Sequence, residues 1–171
     1  CSIALPKFFS TEQLHHALLD SQADYLIFDD DLDEPLSNIL QDIILSRKTI
    51  VIAQKKLTLY CLKKHLPDKQ SSHNAAKITY TSGTTDQPKG VILSEQSILA
   101  KVISLTAATG ASEKDRSLSI LPLSTLLENI GGLYVPLLQG GSVTLLSPQR
   151  IGSSGSSQIN AEQLMSTINA I

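Results

Sequence analysis

The sequence has 171 residues, 42% of them hydrophobic, and a formal net charge of −2. These values allow one domain with a core, exclude a disordered chain and argue against a nucleic-acid-binding protein, which would carry a basic excess. No apolar run approaches the roughly 18–20 residues of a membrane span. Cys1 and Cys61 form no C-x-x-C pair, so we expect no disulfide or zinc site and predict a reducing, cytoplasmic location.

Strands and helices are predicted to alternate over the first 62 residues. The first helix begins after Ser10, which forms with Gln13 the S-x-x-Q pattern of a capping box. The second begins at Pro35 and keeps helical apolar spacing as far as Ile44. The strands, rich in apolar and β-branched residues, are predicted over residues 1–5, 24–29, 49–53 and 57–62.

The same alternation continues to the end of the chain after a polar loop predicted over residues 65–76. Strands are predicted over residues 77–82, 117–123 and 142–146. Helices are predicted to follow Ser94, to cover residues 126–138 and to follow Asn160, and a flexible Gly/Ser loop is predicted over residues 152–157. This order predicts an α/β fold with a mostly parallel sheet and helices on both faces.

The most informative stretch is TYTSGTTDQPKGVILS, residues 79–94. It was interpreted as a loop between a strand and a helix, which is where open α/β sheets bind ligands. Glycines allow close backbone approach, hydroxyl groups donate to phosphate oxygens, and Lys89 adds a mobile positive charge. These features together predict a site for a polyphosphate. The string is not the common NTPase P-loop, because Lys89 precedes Gly90 and no Ser or Thr follows to hold magnesium.

This string resembles the phosphate-binding motif of the AMP-forming adenylate-forming enzymes, whose pattern is roughly Y-T-S-G-T-T-G-x-P-K-G-V. Residues 80–85 and 88–91 match it. The stretch LPLSTLLEN is similar to the second motif of long-chain acyl-CoA synthetases, and LLQGGSVTLL resembles a helix end and the following strand of the family. The resemblance therefore implies that residues 1–171 are a fragment of one N-terminal AMP-binding domain of acyl-CoA synthetase type.

The resemblance implies a ligase that converts a fatty acid and ATP into an acyl-adenylate and then into acyl-CoA. The residues expected to hold the β- and γ-phosphates are Thr81, Ser82, Gly83, Thr84, Thr85, Lys89 and Gly90. ATP, Mg²⁺ and coenzyme A are the expected cofactors, the last two bound mainly by parts of the family's proteins that this sequence lacks. No catalytic residue is assigned here, so the isolated fragment is expected to be inactive.

Partners expected from the resemblance are a small carboxylic acid and ATP, with peripheral membrane association left open. The isolated fragment is also expected to self-associate through an apolar face. Two other functions stay open. One is an adenylation domain that loads a carrier protein, and the other is a non-catalytic nucleotide-binding homologue.

Several residues depart from the family pattern. Asp86 stands where the family has glycine, and a carboxylate about 4 Å from a phosphate charge costs roughly 4 kcal/mol at an effective dielectric constant near 20. We expect the Asp86 side chain to point to solvent. Thr125 and Asn129 replace the histidine and arginine of the second motif, whereas Glu128 is retained. Glu128 was interpreted either as a ligand-site contact or as a surface carboxylate.

No metal site is predicted. His15 and His16 are adjacent on a helix and cannot form an i, i+4 pair. The acidic residues 29–34 lack the spacing and the glycine of an EF-hand, and are interpreted as a solvated loop. Cys61, in a predicted strand, is interpreted as a small buried apolar residue.

Overall fold

The computed structural model describes residues 1–29, 32–63, 74–81, 87–147, 150 and 160–170. The chain forms two compact units. One comprises Cys1–Phe8, Asn74–Thr79 and Ile92–Ile171, and the other comprises Phe9–His73 and Tyr80–Val91. The Gly/Ser loop predicted over residues 152–157 lies outside the described residues.

In the unit that contains residues 9–73, helix α1 spans Thr11–Ser21 and begins as predicted. The Ser10 hydroxyl oxygen accepts a hydrogen bond from the Gln13 N–H at 3.2 Å, and the Gln13 side-chain oxygen accepts one from the Ser10 N–H at 3.0 Å. This reciprocal capping box satisfies two backbone donors that a helix start leaves unpaired. The buried face of α1 is formed by Leu14, Ala17 and Leu18.

Helix α2 spans Glu34–Leu40, after an N-cap at Asp33 whose carboxylate accepts from the Leu36 N–H at 3.0 Å. The prediction that helical structure continues to Ile44 was wrong. The carbonyl of Ile43 accepts from the Lys63 N–H at 2.8 Å, and Ile44 pairs with Leu62. Sheet pairing therefore takes the backbone groups that a longer helix would have used.

The sheet of this unit is antiparallel, with strand order β2-β4-β3. Its strands are β2 (Tyr25–Phe28), β3 (Ile44–Ile52) and β4 (Lys55–Leu62). Ala53 and Gln54 connect β3 to β4 with φ values of 48° and 67°, as in the two-residue turns that suit twisted hairpins. A connection this short forces antiparallel pairing, and so departs from the expected parallel arrangement.

The unit that contains residues 92–171 supplies the parallel pairing that the sequence predicted. Strand β1 (Ser2–Ile3) pairs in parallel with β5 (Ala75–Thr81), in a sheet ordered β1-β5-β6 whose third strand, β6, spans Lys89–Ser94. Strand β7 (Arg116–Ser119) pairs in parallel with β8 (Ser142–Leu145). These strands and the surrounding helices confirm the α/β class.

Helix α3 spans Glu95–Thr109 and begins after Ser94, whose hydroxyl oxygen accepts from the Ser97 N–H at 3.1 Å. A π-helix over Glu128–Tyr134 and helix α4 (Val135–Leu138) form the helical segment predicted over residues 126–138. Helix α3, the π-helix and α4 pack around a hydrophobic core whose buried residues are Val102, Ile130 and Val135.

Helix α5 spans Ala161–Asn169 after the predicted N-cap at Asn160, whose side chain accepts from the Gln163 N–H at 3.0 Å. Thr167 donates a hydrogen bond from its hydroxyl group to the carbonyl oxygen of Arg150 at 2.8 Å. Across the described ranges, the helices are too short or too polar to cross a membrane.

The two adjacent glycines of the π-helix differ in the space around them. A Cβ atom added at Gly132 would lie 2.5 Å from Oε1 of Glu128, whereas one added at Gly131 would meet nothing within 4 Å. The Glu128 carboxylate has little room to retreat, because Oε1 accepts a hydrogen bond from the Ile120 N–H at 3.1 Å and the residue is buried.

We therefore predict that Gly132→Ala lowers the free energy of unfolding by about 1–3 kcal/mol, through overpacking and loss of the bond to Ile120. The matched variant Gly131→Ala should be neutral or stabilising by up to about 1 kcal/mol, because alanine restricts the unfolded backbone. Urea unfolding of both variants measures the difference, and equal losses would contradict this interpretation.

Candidate functional site

The candidate site is built around residues 79–94, which begin inside β5 and which we call the phosphate-binding string after their predicted role. Tyr80 is only 4% exposed. Its hydroxyl group lies 2.8 Å from Oδ2 of Asp20 and 3.0 Å from the carbonyl oxygen of Ala17, both in α1. Burial and the neighbouring Asp20 carboxylate raise the pKa of the Tyr80 phenol far above its ordinary value. The start of the string is thus tied to a capped helix.

Thr81 is the last described residue of β5, and its side chain is exposed. The predicted phosphate-binding residues Ser82, Gly83, Thr84 and Thr85 lie outside the described residues, as does Asp86. Of the seven predicted site residues, the structure therefore places Thr81 at one side of this stretch and Lys89 with Gly90 at the other.

Pro88 is fully buried, whereas the next residues, Lys89 and Gly90, are exposed. The proline ring restricts φ and, once buried, fixes the backbone directly before the lysine. Lys89 thus leaves a fixed point of the chain while its ammonium group stays accessible. This contrast suits a side chain that reaches for a charged ligand.

The interpretation of residues 79–94 as a loop leading to a helix needs correction. Residues Lys89–Ser94 form strand β6, which neighbours β5 in the sheet. The apolar and β-branched side chains at 91–93 explain the strand. Residues 82–88 separate the two strands along the chain. Helix α3 follows β6 and begins at Glu95.

Sequence reasoning missed the buried polar face of β5. Lys77 and Thr79 are 4% and 5% exposed, and burial lowers the pKa of the Lys77 ammonium group. The Thr79 hydroxyl oxygen has no hydrogen-bond partner within the described ranges. The sequence predicted a strand over residues 77–82 but not which polar groups it would bury, and the predicted loop over residues 65–76 was wrong at Ala75 and Ala76, which belong to β5.

The second-motif residues occupy different environments. Glu128 is buried and accepts from the Ile120 N–H just beyond the end of β7, so the surface interpretation was wrong. Asn129 is also buried, and its side-chain oxygen has no partner in the described part of the chain. Thr125 is exposed, and its N–H donates to the carbonyl oxygen of Pro122 at 2.8 Å. Of these side chains, Glu128 has a defined bonding role in the structure.

The described residues contain no group of three or more His, Cys, Asp or Glu side chains that could hold a metal ion. By its sequence, the string offers hydroxyl, backbone and ammonium donors, together with the Asp86 carboxylate. Such donors bind an anionic ligand and can stabilise a leaving phosphate, but they do not supply a nucleophile.

A family comparison decides the identity of the chain, because the profile of the AMP-binding enzyme family matches residues 3–160. The chain belongs to this family. The matched range contains the whole phosphate-binding string and the second-motif residues Thr125, Glu128 and Asn129. The resemblance stated from the sequence to adenylate-forming enzymes is thereby confirmed.

Similar proteins of this AMP-binding family include ligases and a peptide synthase. A CoA ligase of Gibberella moniliformis is 34% identical over 88 residues, which cover 52% of this chain and 15% of that protein. A dimodular nonribosomal peptide synthase of Bacillus subtilis is 29% identical over 107 residues, covering 59% of this chain and 4% of that protein. The chain thus spans less than a fifth of the length of either relative.

A solved structure of a malonyl-CoA ligase, in a ternary product complex with methylmalonyl-CoA and AMP bound, matches 98% of this chain and 32% of its own length. The TM-score is 0.62 and the sequence identity 22%. At this identity the likeness establishes the fold. It confirms that the chain is part of an adenylate-forming-enzyme fold.

The hydrogen bonding of the Tyr80 hydroxyl group to α1 predicts a pH dependence of stability. Because folding raises the phenol pKa, the unfolded chain loses this proton first, and the stabilisation present at neutral pH is lost as the pH rises above about 10. Tyr80→Phe should lower the free energy of unfolding at pH 7 by about 1–3 kcal/mol. The difference between the two proteins should shrink as the pH rises above about 10.

Tyr25→Phe is the matched control. Because Tyr25 is 62% exposed, this substitution should lower the free energy of unfolding by less than about 0.5 kcal/mol. Chemical denaturation at pH values from 7 to about 11 measures the free energy of unfolding of the unmodified protein and of both variants. A constant difference between Tyr80→Phe and the unmodified protein over this range would show that Tyr80 does not titrate as described.

Proposed function

We propose that this chain carries the phosphate-binding part of an ATP-dependent, AMP-forming acyl-CoA synthetase. In the first step a carboxylate oxygen of the acid attacks the α-phosphorus of ATP, and the bond to pyrophosphate breaks. In the second step the coenzyme A thiol attacks the acyl carbonyl carbon, and AMP leaves. The observation that carries the proposal is the ordered string at residues 80–91 within a chain of the AMP-binding family.

The string acts on the leaving pyrophosphate in this proposal. The hydroxyl groups of Thr81, Ser82, Thr84 and Thr85 donate to the β- and γ-phosphate oxygens, and Gly83 and Gly90 allow the backbone to approach. Lys89 neutralises charge that develops as the bond to the α-phosphate breaks. The contrast between buried Pro88 and exposed Lys89 supports this role, together with the hydrogen bond that holds Tyr80 of β5 against Asp20.

The cofactors proposed are ATP, Mg²⁺ and coenzyme A. The hydroxyl and ammonium donors of the string suit a polyphosphate, whereas the described residues offer no cluster of carboxylates for a cation. We therefore propose that Mg²⁺ and coenzyme A are bound mainly by other parts of the full-length protein. The isolated chain, as one AMP-binding domain fragment, is then inactive in adenylation.

A fatty acid is the proposed substrate, supported by the similarity of LPLSTLLEN to the long-chain synthetases. The unpaired cysteines Cys1 and Cys61 are compatible with the proposed cytoplasmic location. Peripheral association with a membrane stays part of this proposal, without a specific surface assigned to it.

A second candidate is an adenylation domain that loads an acyl or aminoacyl group onto a carrier protein. The similarity to the Bacillus subtilis peptide synthase favours it. The third, a non-catalytic nucleotide-binding homologue, is favoured by Asp86 and by Thr125 at the position of the family's histidine. The three functions differ in whether adenylation occurs and in which thiol accepts the acyl group.

Acid-dependent exchange of pyrophosphate into ATP by the full-length protein tests the proposal, with acids from acetate to palmitate plus aryl and amino acids. Exchange with fatty acids, followed by acyl transfer to coenzyme A, is the expected result. Exchange with amino acids and transfer to a carrier protein would favour the second candidate. A folded protein that catalyses no pyrophosphate exchange with any acid would favour the third candidate, the non-catalytic homologue.

The lysine of the string provides a specific prediction for this assay. Removing a charge-assisted contact to a phosphate costs about 1.5–3 kcal/mol, so Lys89→Ala should lower kcat/KM for ATP in exchange by roughly 10- to 200-fold. Lys101→Ala removes an exposed lysine of α3 and should leave exchange unchanged. Equal activity of both variants would show that Lys89 does not bind the phosphates.

We also propose that the isolated chain self-associates through one face of the β2-β4-β3 sheet. Tyr25 and Ile27 are 62% and 55% exposed, and their register partners on this face are Cys61 and Leu59. Light scattering should show a mass that rises with concentration. Ile27→Lys should weaken this association, whereas Leu99→Lys, on exposed α3, should not. A monomer at every concentration would refute it.

A further inference from the structure

The unit that contains residues 9–73 has a cavity lined by apolar and polar side chains, and this cavity is separate from the phosphate-binding string. Its volume is about 250 Å³, and it opens to solvent between α2 and the antiparallel sheet. The lining residues are Leu32, Ser37, Gln41, Ile44, Arg47 and Tyr60. None of them belongs to the phosphate-binding string or to the second motif.

The sheet brings the polar floor of the cavity together. Arg47 in β3 and Tyr60 in β4 are register partners, so their side chains project from neighbouring positions on the same face. Tyr60 is 3% exposed and thus firmly packed, whereas Arg47 is exposed. Among the described residues, no hydrogen bond or ion pair occupies the Arg47 guanidinium group, and none of the described side chains lining the cavity is a carboxylate.

Helix α2 provides the opposite wall. Ser37 lies on this helix and Gln41 is its C-cap residue, four positions later, which places both side chains on one side of the helix. Their hydroxyl and amide groups add neutral donors to the single positive charge of Arg47. Leu32 and Ile44 supply apolar surface beside these donors.

We propose that this cavity binds a small organic carboxylate with a short apolar body. An arginine fork matches the geometry of a carboxylate, and the neutral donors complete its hydrogen bonds. A dianionic phosphate fits less well, because Arg47 is the one charged side chain among the described lining residues. The volume lies below the roughly 300–1,000 Å³ of drug-sized pockets, which limits the ligand to a small molecule. This inference does not depend on the proposed adenylation activity.

The test uses butyrate as the probe and amide NMR titration of the whole 171-residue chain as the measurement. We expect saturable shifts at residues of α2, β3 and β4, with a Kd of about 1–20 mM, as suits so small a ligand. Butanol, which keeps the apolar body without the charge, should bind roughly tenfold more weakly or not at all. Inorganic phosphate is the second comparator and should also bind more weakly.

Two charge-removing variants separate direct contact from general electrostatics. Arg47→Gln should weaken butyrate binding by at least roughly tenfold. Lys48→Gln removes the same charge from the next residue of β3, which pairs with Leu59 and faces the other side of the sheet. Its affinity for butyrate should stay within about twofold of the unmodified chain, since exposed charges are screened.

Ser37→Leu provides a variant that does not change charge and lies at an exposed helical position. Its larger side chain should fill the cavity and abolish the shifts while the spectrum of the folded chain is retained. Equal butyrate affinity in Arg47→Gln and Lys48→Gln, tighter binding of phosphate, or no saturable shifts in the unmodified chain would each overturn the proposal.

Discussion

The hydrogen bonds of the Tyr80 hydroxyl group determine where the phosphate-binding string begins. The tyrosine reaches α1, whose own start is fixed by the capping box of Ser10 and Gln13. Ala17 is completely buried, and its small side chain lets the phenol approach the helix backbone. The carbonyl oxygen of Ala17 can accept this bond in addition to the helical one, because a carbonyl has two lone pairs. Polar bonding to a helix therefore positions the end of β5, directly before the residues predicted to bind phosphate.

The buried polar groups on the two faces of β5 differ in their hydrogen bonding. Tyr80 satisfies its polar atom through a neighbouring helix, whereas the Thr79 hydroxyl finds no partner within the described residues. Lys77 is buried with a lowered pKa, and nothing in the described residues explains why a lysine rather than an apolar residue occupies this position. The strand that carries the candidate site thus contains polar groups whose burial costs stability. Such positions are common where function, rather than packing, sets the residue type.

Local signals in the sequence predicted the helix starts well and strand pairing poorly. The caps at Ser10, Ser94 and Asn160 depend on side chains within three residues of the backbone groups they bind, so spacing alone reveals them. The end of α2 depends on the pairing of Ile44 with Leu62, which no local pattern contains.

In the candidate site too, features set by local sequence could be predicted, whereas features set by distant contacts could not. Its donor side chains could be predicted from the order of residues in the string. The partner of Tyr80 could not, because Asp20 is 60 residues away in the chain. Strand β6 was missed because the glycine and proline of the string favour a loop, although Val91, Ile92 and Leu93 favour a strand. Burial of Pro88 likewise depends on tertiary packing, so the contrast with exposed Lys89 emerges only from the structure.

In the function proposed above, the affinity of residues 79–94 for a polyphosphate would depend on the balance between Lys89 and Asp86. At equal distances from a phosphate oxygen, the ammonium attraction and the carboxylate repulsion would cancel, each being roughly 4 kcal/mol at about 4 Å and an effective dielectric constant near 20. Moving the carboxylate to about 8 Å halves its repulsion to roughly 2 kcal/mol, and water screening lowers it further. The neutral hydroxyl and backbone donors contribute in either case. Under this proposal, net attraction requires only that the Asp86 carboxylate lie farther from the phosphates than the ammonium group of Lys89, which follows the buried Pro88.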